Sequence, residues 1–201
     1  MFTRNKIAAR LAQPAFKPQP GDRRVAPPLG STQSTPAAVL VPLVPRQDGI
    51  TVLLTQRTAH LKHHPSHISF PGGRVESADR DRTETALRET QEEIGLAREH
   101  IEIIGTLPDY EVTSGFRISP VVAWVEPPFE LELDAFEVDS SFEVPLSIVL
   151  NPASYQHHDV HFDGKHREYV AIPYQGYYIW GATAAILYTF YRQLTDEPCA
   201  G

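Results

Sequence analysis

Cysteine and methionine are nearly missing from this sequence, which has one of each among its 201 residues. The single thiol, Cys199, lies close to the C-terminus, so the composition excludes an internal disulfide framework and a cysteine-based zinc site. No apolar run approaches the roughly 18 residues that a membrane-spanning helix needs. With 41% hydrophobic and 21% charged residues, we expect a globular, cytoplasmic protein without a membrane partner.

Positive charge is also scarce and is concentrated at one end of the chain. The formal net charge is −7, yet the first 24 residues hold six basic groups against one acidic group. The segment 126–143 holds seven acidic residues and no basic residue. Such a protein binds nucleic acid poorly, so no nucleic-acid partner is expected. An anionic substrate would need local positive charge, which a divalent metal ion held by carboxylates can supply.

Prolines mark a division of the chain into three parts. Residues 1–36 are predicted to form a proline-rich N-terminal arm with a possible short helix over residues 1–12. The arm could pack on the domain, contact a second copy in a homodimer or act as a transit peptide, and the sequence leaves these alternatives open. Residues 37–195 are predicted to form one folded domain, and residues 196–201 a C-terminal tail.

Strands and helices alternate irregularly in the predicted domain, which indicates an α/β fold with a mixed sheet. Turn-forming residues at Arg46–Gly49 and at Asp163–Gly164 separate β-rich runs and predict two hairpins. Residues 60–73 are predicted to be a long polar loop, and the segment Glu137–Leu150 to contain a short helix or turn. The last predicted helix spans Ala182–Leu194.

The chemically informative segment is a helix predicted between Asp81, as N-cap, and Gly95, as C-terminal stop. Glu89, Glu92 and Glu93 have i, i+3 and i, i+4 spacings, so their carboxylates lie on one face. Three like charges repel one another there. A hard divalent cation such as Mg²⁺ removes this conflict, because it prefers oxygen ligands. A solvated acidic face is the alternative.

Two glycines and an arginine frame this helix. Gly72 and Gly73 precede it by a loop and allow backbone N–H groups to approach a ligand closely. Arg88 adjoins the first of the three glutamates. Its guanidinium can either hold that carboxylate or contact a phosphate through two parallel hydrogen bonds.

Together these residues resemble the motif of the Nudix hydrolases, Gly-x5-Glu-x7-Arg-Glu-U-x-Glu-Glu-x-Gly-U, where U is a bulky apolar residue. The run from Arg88 to Leu96 matches the second half of the motif. The first half departs from it, because Arg88 lies 15 residues after Gly73 where the pattern has 14. The place of the early Glu is taken by Asp79 when counted forward from Gly73, and by Arg80 when counted backward from Arg88.

A second stretch resembles the signature of the coenzyme A pyrophosphatase branch of this family. The spacing of Leu-Leu-Thr-x-Arg-(Ser/Ala)-x3-Arg-x3-Gly-x3-Phe-Pro-Gly-Gly holds from Leu53 to Gly73. Three positions differ, because Thr58 replaces Ser or Ala, Lys62 replaces Arg, and Ser66 replaces Gly. Lysine keeps the charge but loses the bidentate fork of arginine. Ser66 would be strained if its φ angle were positive.

The resemblance implies an α/β/α sandwich of the Nudix type around a mixed β-sheet. It also implies hydrolysis of the diphosphate of coenzyme A or its derivatives to 4′-phosphopantetheine and adenosine 3′,5′-bisphosphate, with Mg²⁺ or Mn²⁺ as cofactor. The expected catalytic residues are then Arg88, Glu89, Glu92 and Glu93, and the three glutamates are the expected metal ligands. Among them Glu89 and Glu93 are favoured as principal ligands, because an i, i+4 pair can converge on one ion.

Further residues are candidates for contact with a small nucleotide substrate. The expected substrate-binding residues are Arg57, Lys62, Gly72, Gly73 and Arg74. Histidines of the segment 60–67 could add phosphate contacts. Phe116 could stack on a base, whereas Trp124 and Trp180 are interpreted as packing residues.

Three questions stay open at this level. The general base could be Glu89, or an acid from another loop such as Glu111 or Glu137. The substrate could be another nucleoside diphosphate derivative, such as ADP-ribose or NADH, since three positions of the coenzyme A signature differ. A non-catalytic Nudix-like binding module is the remaining alternative, although the intact set of Arg88 and three glutamates argues against it.

Overall fold

The computed structural model describes residues 2–14, 34–61, 64–112, 115–162 and 165–195, with side chains described outside 160–167. The α-helices in these ranges are α1 (Arg4–Leu11), α2 (Arg82–Ile94), α3 (Leu146–Val149) and α4 (Gly181–Thr195). The strands in these ranges are β1 (Thr35–Arg46), β2 (Gly49–Arg57), β3 (Ile68–Ser69), β4 (Gly72–Arg74), β5 (Ile101–Thr106), β6 (Tyr110–Glu111), β7 (Phe116–Val125), β8 (Val138–Pro145), β9 (Gln156–Phe162), β10 (Lys165–Tyr174) and β11 (Tyr177–Trp180). Among the described helices, none is long and apolar enough to cross a membrane.

The larger sheet is built around β1, which has neighbours along both edges. It runs parallel to β7 and antiparallel to β2, to which it is joined by the turn at Gln47 and Asp48. The order across the sheet is β3-β2-β1-β7-β5, while β4, β6 and β8 pair with β1, β7 and β2 respectively. A second, antiparallel sheet has the order β11-β10-β9. The larger sheet is therefore mixed, as the sequence predicted.

Both faces of β1 are buried, which explains its nearly uninterrupted apolar sequence. Val41 and Leu43 belong to the core on the side of α1 and α4, which includes Phe190. Ala38 and Leu40 belong to the core on the opposite side, where Ala86 of α2 packs. Helices thus cover the mixed sheet on both faces, and the predicted α/β/α sandwich is confirmed.

Helix α1 belongs to this core although it lies in the predicted N-terminal arm. Ile7 is completely buried. Leu11 lies so close to Gly105 that a Cβ at that glycine would collide with it. The possible short helix is therefore present and packs on the domain, while residues 15–33 of the arm lie outside the described residues.

The remaining elements agree with the sequence-based prediction in part. The two predicted hairpins are present as β1–β2 and β9–β10, and α4 contains the last predicted helix. Residues 60–73 are not a loop throughout, because β3 pairs with β2 and β4 begins at Gly72. The segment Glu137–Leu150 contains the short helix α3 but consists mainly of β8. The sequence pattern did not predict β8, whose pairing partner β2 is distant in sequence, nor β11, which pairs with the neighbouring strand β10.

Candidate active site

Helix α2 carries the three candidate glutamates, and both of its ends are fixed by local signals. Asp81 accepts a hydrogen bond from the backbone N–H of Glu84 (2.9 Å), which satisfies one free donor of the first turn. Gly95 ends the helix with a φ of 66°, a left-handed conformation that glycine adopts without strain. The predicted N-cap and C-terminal stop are both confirmed.

The loop before α2 is tied to the helix through Asp79. Its side chain is 2% exposed and accepts hydrogen bonds from Arg88 Nε at 3.0 Å and from Arg88 Nη2 at 3.1 Å. The Glu76 N–H and the Thr85 hydroxyl also donate to it. These donors, first of all Arg88, hold the pKa of Asp79 well below its usual range. Of the two positions considered for the early acid, Asp79 and not Arg80 thus faces the arginine.

Arg88 directs its remaining donors at carboxylates of α2 and at the backbone of β4. Nη1 lies 3.0 Å from a Glu89 oxygen and 2.9 Å from Glu92 Oε2. Nη2 also donates to the carbonyl oxygen of Arg74 at 3.1 Å. Its hydrogen bonds, with that to Asp79 the largest cause, raise the pKa of Arg88. Of the two roles considered for Arg88, this geometry is the one in which it holds carboxylates.

Glu93 is the most deeply buried of the three glutamates, with 5% of its surface exposed. Its Oε2 accepts a hydrogen bond from the Gly72 N–H at 3.1 Å, and its Oε1 lies 3.5 Å from Arg57 Nη1. Burial raises the pKa of Glu93 to about 8, although the Gly72 N–H and Arg57 favour the ionised form. Nearby Glu137 and Glu89 add to the rise. A carboxylate in this position gains strongly from a further cation nearby.

Glu89 lies one turn earlier on the same face and is directed at Gly73. A Cβ at Gly73 would collide with the Glu89 carboxylate, so only glycine leaves room there. Burial raises the pKa of Glu89, while Arg88 opposes the rise. Glu92 differs from both other glutamates. The Glu92 side chain is 59% exposed. Glu92 is not among the described residues that line the cavity presented below.

Arg57 lies at the C-terminal end of β2 and contacts a second acidic group besides Glu93. Its Nη2 lies 3.5 Å from Glu137 Oε2. The N–H of the next residue, Thr58, donates to the carbonyl oxygen of Glu137 at 3.0 Å, which fixes the segment that brings Glu137 to the site. Lys62, the other cation predicted in this stretch, lies outside the described residues.

Ser66 has a φ of 59°, in the left-handed region that favours glycine. This is the position at which the coenzyme A signature has Gly, so the backbone conformation anticipated for it is present. His64, two residues earlier, also has a positive φ, of 54°. The turn returns the chain to β2, where the carbonyl oxygen of His67 accepts a hydrogen bond from the Arg57 N–H at 2.9 Å.

One cavity of about 1070 Å³ collects most of these groups. The predicted site residues that line it are Arg57, Gly72, Gly73, Arg74, Glu89 and Glu93. Four further carboxylates line it as well, those of Glu76, Glu111, Glu137 and Glu168. Apolar side chains from β1, β7 and α4, including Val39, Ile118 and Ile186, complete the lining. The volume is at the upper end of ligand pockets and suits a large substrate with both charged and apolar parts.

A cation–π contact and an ion pair shape the part of the cavity formed by β4, β6 and β7. The Arg74 guanidinium carbon lies 5.0 Å from the centroid of the Phe116 ring, a cation–π contact. Arg74 has no acidic partner within the described parts of the chain, so its charge is available to an anion. Glu111 accepts hydrogen bonds from Nε and Nη2 of Arg117 at 3.0 and 2.8 Å, so its charge is already paired.

The carboxylates of α2 suit a hard divalent cation. Glu89 and Glu93 offer oxygen donors to one cavity, and the space at Gly73 accommodates the Glu89 carboxylate. No group of three acidic, histidine or cysteine side chains converges into a complete metal site in the ranges that the structure describes. A cation bound here would therefore take its remaining ligands from water and phosphate oxygens, which is usual for Mg²⁺.

Trp180 was interpreted as a packing residue, and this was wrong. It is 42% exposed and lines the cavity. The cause is the unpredicted strand β11, in which Ile179 is buried and its neighbours face outward. Trp124 is partly buried against the core, and its Nε1 donates to Glu126 at 3.0 Å, in agreement with a packing role.

The acidic segment 126–143, for which no role was predicted, binds the C-terminal end of α2 through its backbone. The N–H of Glu132 donates to the Ile94 carbonyl oxygen at 3.0 Å, and the N–H of Asp134 donates to that of Glu93 at 2.9 Å. These bonds satisfy carbonyl groups that a helix C-terminus leaves free. Apolar residues that alternate with the acids pack in the core around Ile94.

Comparisons with known proteins place these motifs in one family. A family model described as NUDIX domain matches residues 34–147. A curated protein of Enterobacter sp. (strain 638), named Uncharacterized Nudix hydrolase NudL, is 40% identical over 163 residues, covering 81% of this chain and 84% of its own. The protein of the same name from Cronobacter sakazakii is 38% identical over 162 residues, with the same shares covered. A solved Ap4A hydrolase from C. elegans is 27% identical, with a TM-score of 0.47 over 56% of this chain and 81% of that chain.

Proposed function

The chain belongs to the Nudix family and is a diphosphatase, and from this premise we propose that its substrate is coenzyme A or a derivative of it. The reaction would hydrolyse the diphosphate bond and release 4′-phosphopantetheine and adenosine 3′,5′-bisphosphate.

One observation carries this proposal: the stretch that resembles the coenzyme A signature lines the same cavity as two carboxylates of α2. Arg57 comes from the first part of that stretch, and Gly72 and Gly73 from its end. Around the same cavity lie Glu89 and Glu93. The volume of about 1070 Å³ supports a substrate larger than a simple nucleotide.

Glu89 and Glu93 form the set of carboxylates that would hold Mg²⁺ or Mn²⁺, whereas Glu92 does not line the cavity and contacts Arg88. When bound, such an ion neutralises phosphate oxygens and lowers the pKa of a coordinated water. Arg88 contacts the carboxylates of both Glu89 and Glu92, and Asp79 in turn holds the Arg88 guanidinium in place. Its proposed catalytic role is therefore to position the carboxylates.

Substrate phosphates would be bound by the cations and the glycine backbone around the cavity. Arg57 reaches the cavity between Glu93 and Glu137, and Arg74 has no acidic partner within the described ranges. Gly72 and Gly73 bring their backbone close to Glu93 and Glu89, the side at which the diphosphate would lie. Lys62 joins this set on the strength of the signature alone.

Glu137 is the favoured acceptor of the proton from the attacking water. It lines the cavity, its side chain is 42% exposed, and its contact with Arg57 is long, at 3.5 Å. Glu111 is paired more closely, with Arg117, and Glu89 with Arg88. A general base needs free lone pairs within reach of water, and among these three carboxylates Glu137 meets that condition best.

The experiment is a comparison of substrates at matched concentrations. The protein is incubated with coenzyme A, ADP-ribose and NADH, each with Mg²⁺, with Mn²⁺ and with EDTA, and the products are identified by mass spectrometry. We expect metal-dependent release of 4′-phosphopantetheine and adenosine 3′,5′-bisphosphate, faster than any product from the other two compounds. Faster cleavage of ADP-ribose or NADH would overturn the assignment to coenzyme A while leaving the diphosphatase chemistry in place.

A second candidate substrate class has an observation in its favour. Thr58, Lys62 and Ser66 differ from the coenzyme A signature, and all three lie in the stretch that leads to the cavity. If ADP-ribose or NADH proves the better substrate, these three positions are the first to exchange for the signature residues.

A further inference from the structure

Trp180 occupies an unusual position at the edge of the cavity. It is 42% exposed, whereas Ile179 beside it is completely buried. Tyr178, two residues earlier, is similarly exposed at 43% but does not line the cavity. An indole ring left partly open at a cavity wall offers a large apolar surface to any planar group that enters.

The Trp180 ring is part of a short series of ring contacts that leads into the site. Its centroid lies 5.0 Å from that of His67, and the His67 centroid lies 4.9 Å from that of His64. All three residues line the cavity. Trp180 also contacts Tyr169, with centroids 5.9 Å apart at an interplanar angle of 64°. Two neighbouring rings thus support the indole.

Backbone contacts fix these rings relative to the proposed diphosphate site. The carbonyl oxygen of His67 accepts a hydrogen bond from the N–H of Arg57, whose side chain reaches Glu93. The Thr183 hydroxyl donates to the Ile68 carbonyl oxygen at 2.9 Å and so joins the start of α4 to β3. The position of the rings is therefore set by the same strands that position Arg57.

We propose that Trp180, together with His67, is the stacking site for the purine base of the nucleotide substrate. The inference rests on the proposed function, because it needs a substrate with a base attached to the diphosphate. Base–aromatic stacking needs an accessible ring and a support for it. Trp180 is 42% exposed and lines the cavity, and Tyr169 and His67 contact its ring. Burial, together with the charges of His64 and Arg57, lowers the pKa of His67, which favours the neutral ring.

The first test is a binding measurement that needs no turnover. The sequence has two tryptophans, so the Trp124→Phe variant leaves Trp180 as the sole indole fluorophore. It is titrated in EDTA with adenosine 3′,5′-bisphosphate and, separately, with 4′-phosphopantetheine, which has no base. We expect saturable quenching of the Trp180 emission by the first compound only. Equal effects of both compounds, or none from the adenosine compound while calorimetry shows that it binds, would overturn the proposal.

The second test separates binding from chemistry in the intact chain. Trp180→Leu is expected to raise the KM for the preferred substrate about tenfold and to change kcat much less, while Trp180→Phe retains most of the affinity. Tyr178→Leu is the matched control, because it removes an equally exposed aromatic ring from the same strand outside the cavity. An unchanged KM in Trp180→Leu, or an equal rise in Tyr178→Leu, would refute the stacking role.

The two proposals fail in different ways. If ADP-ribose is cleaved faster than coenzyme A but Trp180→Leu still raises its KM, the substrate assignment fails and the stacking site stands. If coenzyme A is the preferred substrate and neither the emission nor the KM depends on Trp180, the proposed function stands and the stacking site fails.

Discussion

Asp79 and Arg88 form a two-pronged ion pair that joins the loop after Gly73 to the middle of α2, with contacts of 3.0 and 3.1 Å. The carboxylate is almost completely enclosed, and Arg88 reaches from it to both Glu89 and Glu92. The loop is one residue longer than the general Nudix pattern, and an aspartate makes the contact. Glu89, a proposed metal ligand, therefore depends through Arg88 on a residue that does not line the cavity.

Replacing Asp79 with Asn tests this dependence. The change leaves Arg88 without its buried counter-charge, so we expect the free energy of unfolding to fall by about 2–4 kcal/mol. Turnover should fall as well, because Asp79 no longer fixes the Arg88 guanidinium that contacts Glu89 and Glu92. Urea unfolding followed by circular dichroism, combined with kcat at saturating metal, measures both effects. Asp48→Asn, in the exposed turn between β1 and β2, is the control that should change neither.

The three glutamates should differ in their effect on catalysis. Glu89→Gln and Glu93→Gln are each expected to lower kcat by about a thousandfold or more, because each removes a charged oxygen ligand from the cavity. Glu92→Gln should lower kcat far less, since the Glu92 side chain is 59% exposed and contacts Arg88. Unchanged circular dichroism spectra would show that the fold persists. Normal activity in a folded Glu89→Gln or Glu93→Gln variant would refute the metal-ligand assignment.

The ion pairs of Glu84 predict a pH dependence of stability. Arg98 and Arg80 donate to its carboxylate at 2.6 and 3.0 Å and lower its pKa from 4.5 to about 2. Because the folded value is the lower one, this stabilisation is complete above pH 4.5 and is lost as the pH falls towards 2. Glu84→Gln should therefore lower stability at pH 7, and its difference from the parent protein should shrink at pH 3.

Urea titrations at pH 7, 4.5 and 3 measure this difference. Glu99→Gln serves as the control, since that side chain is 83% exposed and should behave like the parent protein throughout. A Glu84→Gln difference that stays constant from pH 7 to pH 3 would mean that the carboxylate acts through its shape and not through its charge.

Ser66 provides a test of backbone strain. Its φ of 59° costs a residue with a side chain more than it costs glycine, so Ser66→Gly should stabilise the protein by about 0.5–1 kcal/mol. Ser154→Gly, in a short 3₁₀ helix without a positive φ, should destabilise it. Thermal unfolding of the two variants and of the parent protein measures these changes in stability. A destabilised Ser66→Gly variant would show that the serine side chain contributes more than the strain removes.

The parts of the fold that follow from the sequence are those with local causes. Asp81 and Gly95 delimit α2 because a cap and a left-handed stop act within one turn of the helix. Strand β8 was missed, because it is acidic, has no strong alternation and owes its conformation to pairing with β2. The choice between Asp79 and Arg80 was open for the same reason, since it depends on how the loop folds back on Arg88.

The site was predictable in its chemistry and less so in its arrangement. The glutamate spacing placed Glu89 and Glu93 on one face, and both line the cavity. That Glu92 turns away to Arg88 depends on where Asp79 holds the guanidinium. The exposure of Trp180 could not be inferred, because an aromatic residue near a sheet is usually buried and only the register of β11 sets its direction.

Glu93 lies on the last turn of α2, where helices ordinarily fray. The backbone of the acidic segment prevents this, since Asp134 and Glu132 donate to the carbonyl oxygens of Glu93 and Ile94. A stretch rich in negative charge would be expected to exchange its amide hydrogens rapidly. Here these two amides should exchange more slowly than those of an unpaired loop, and the last helical turn would keep its shape although the surrounding surface is solvated.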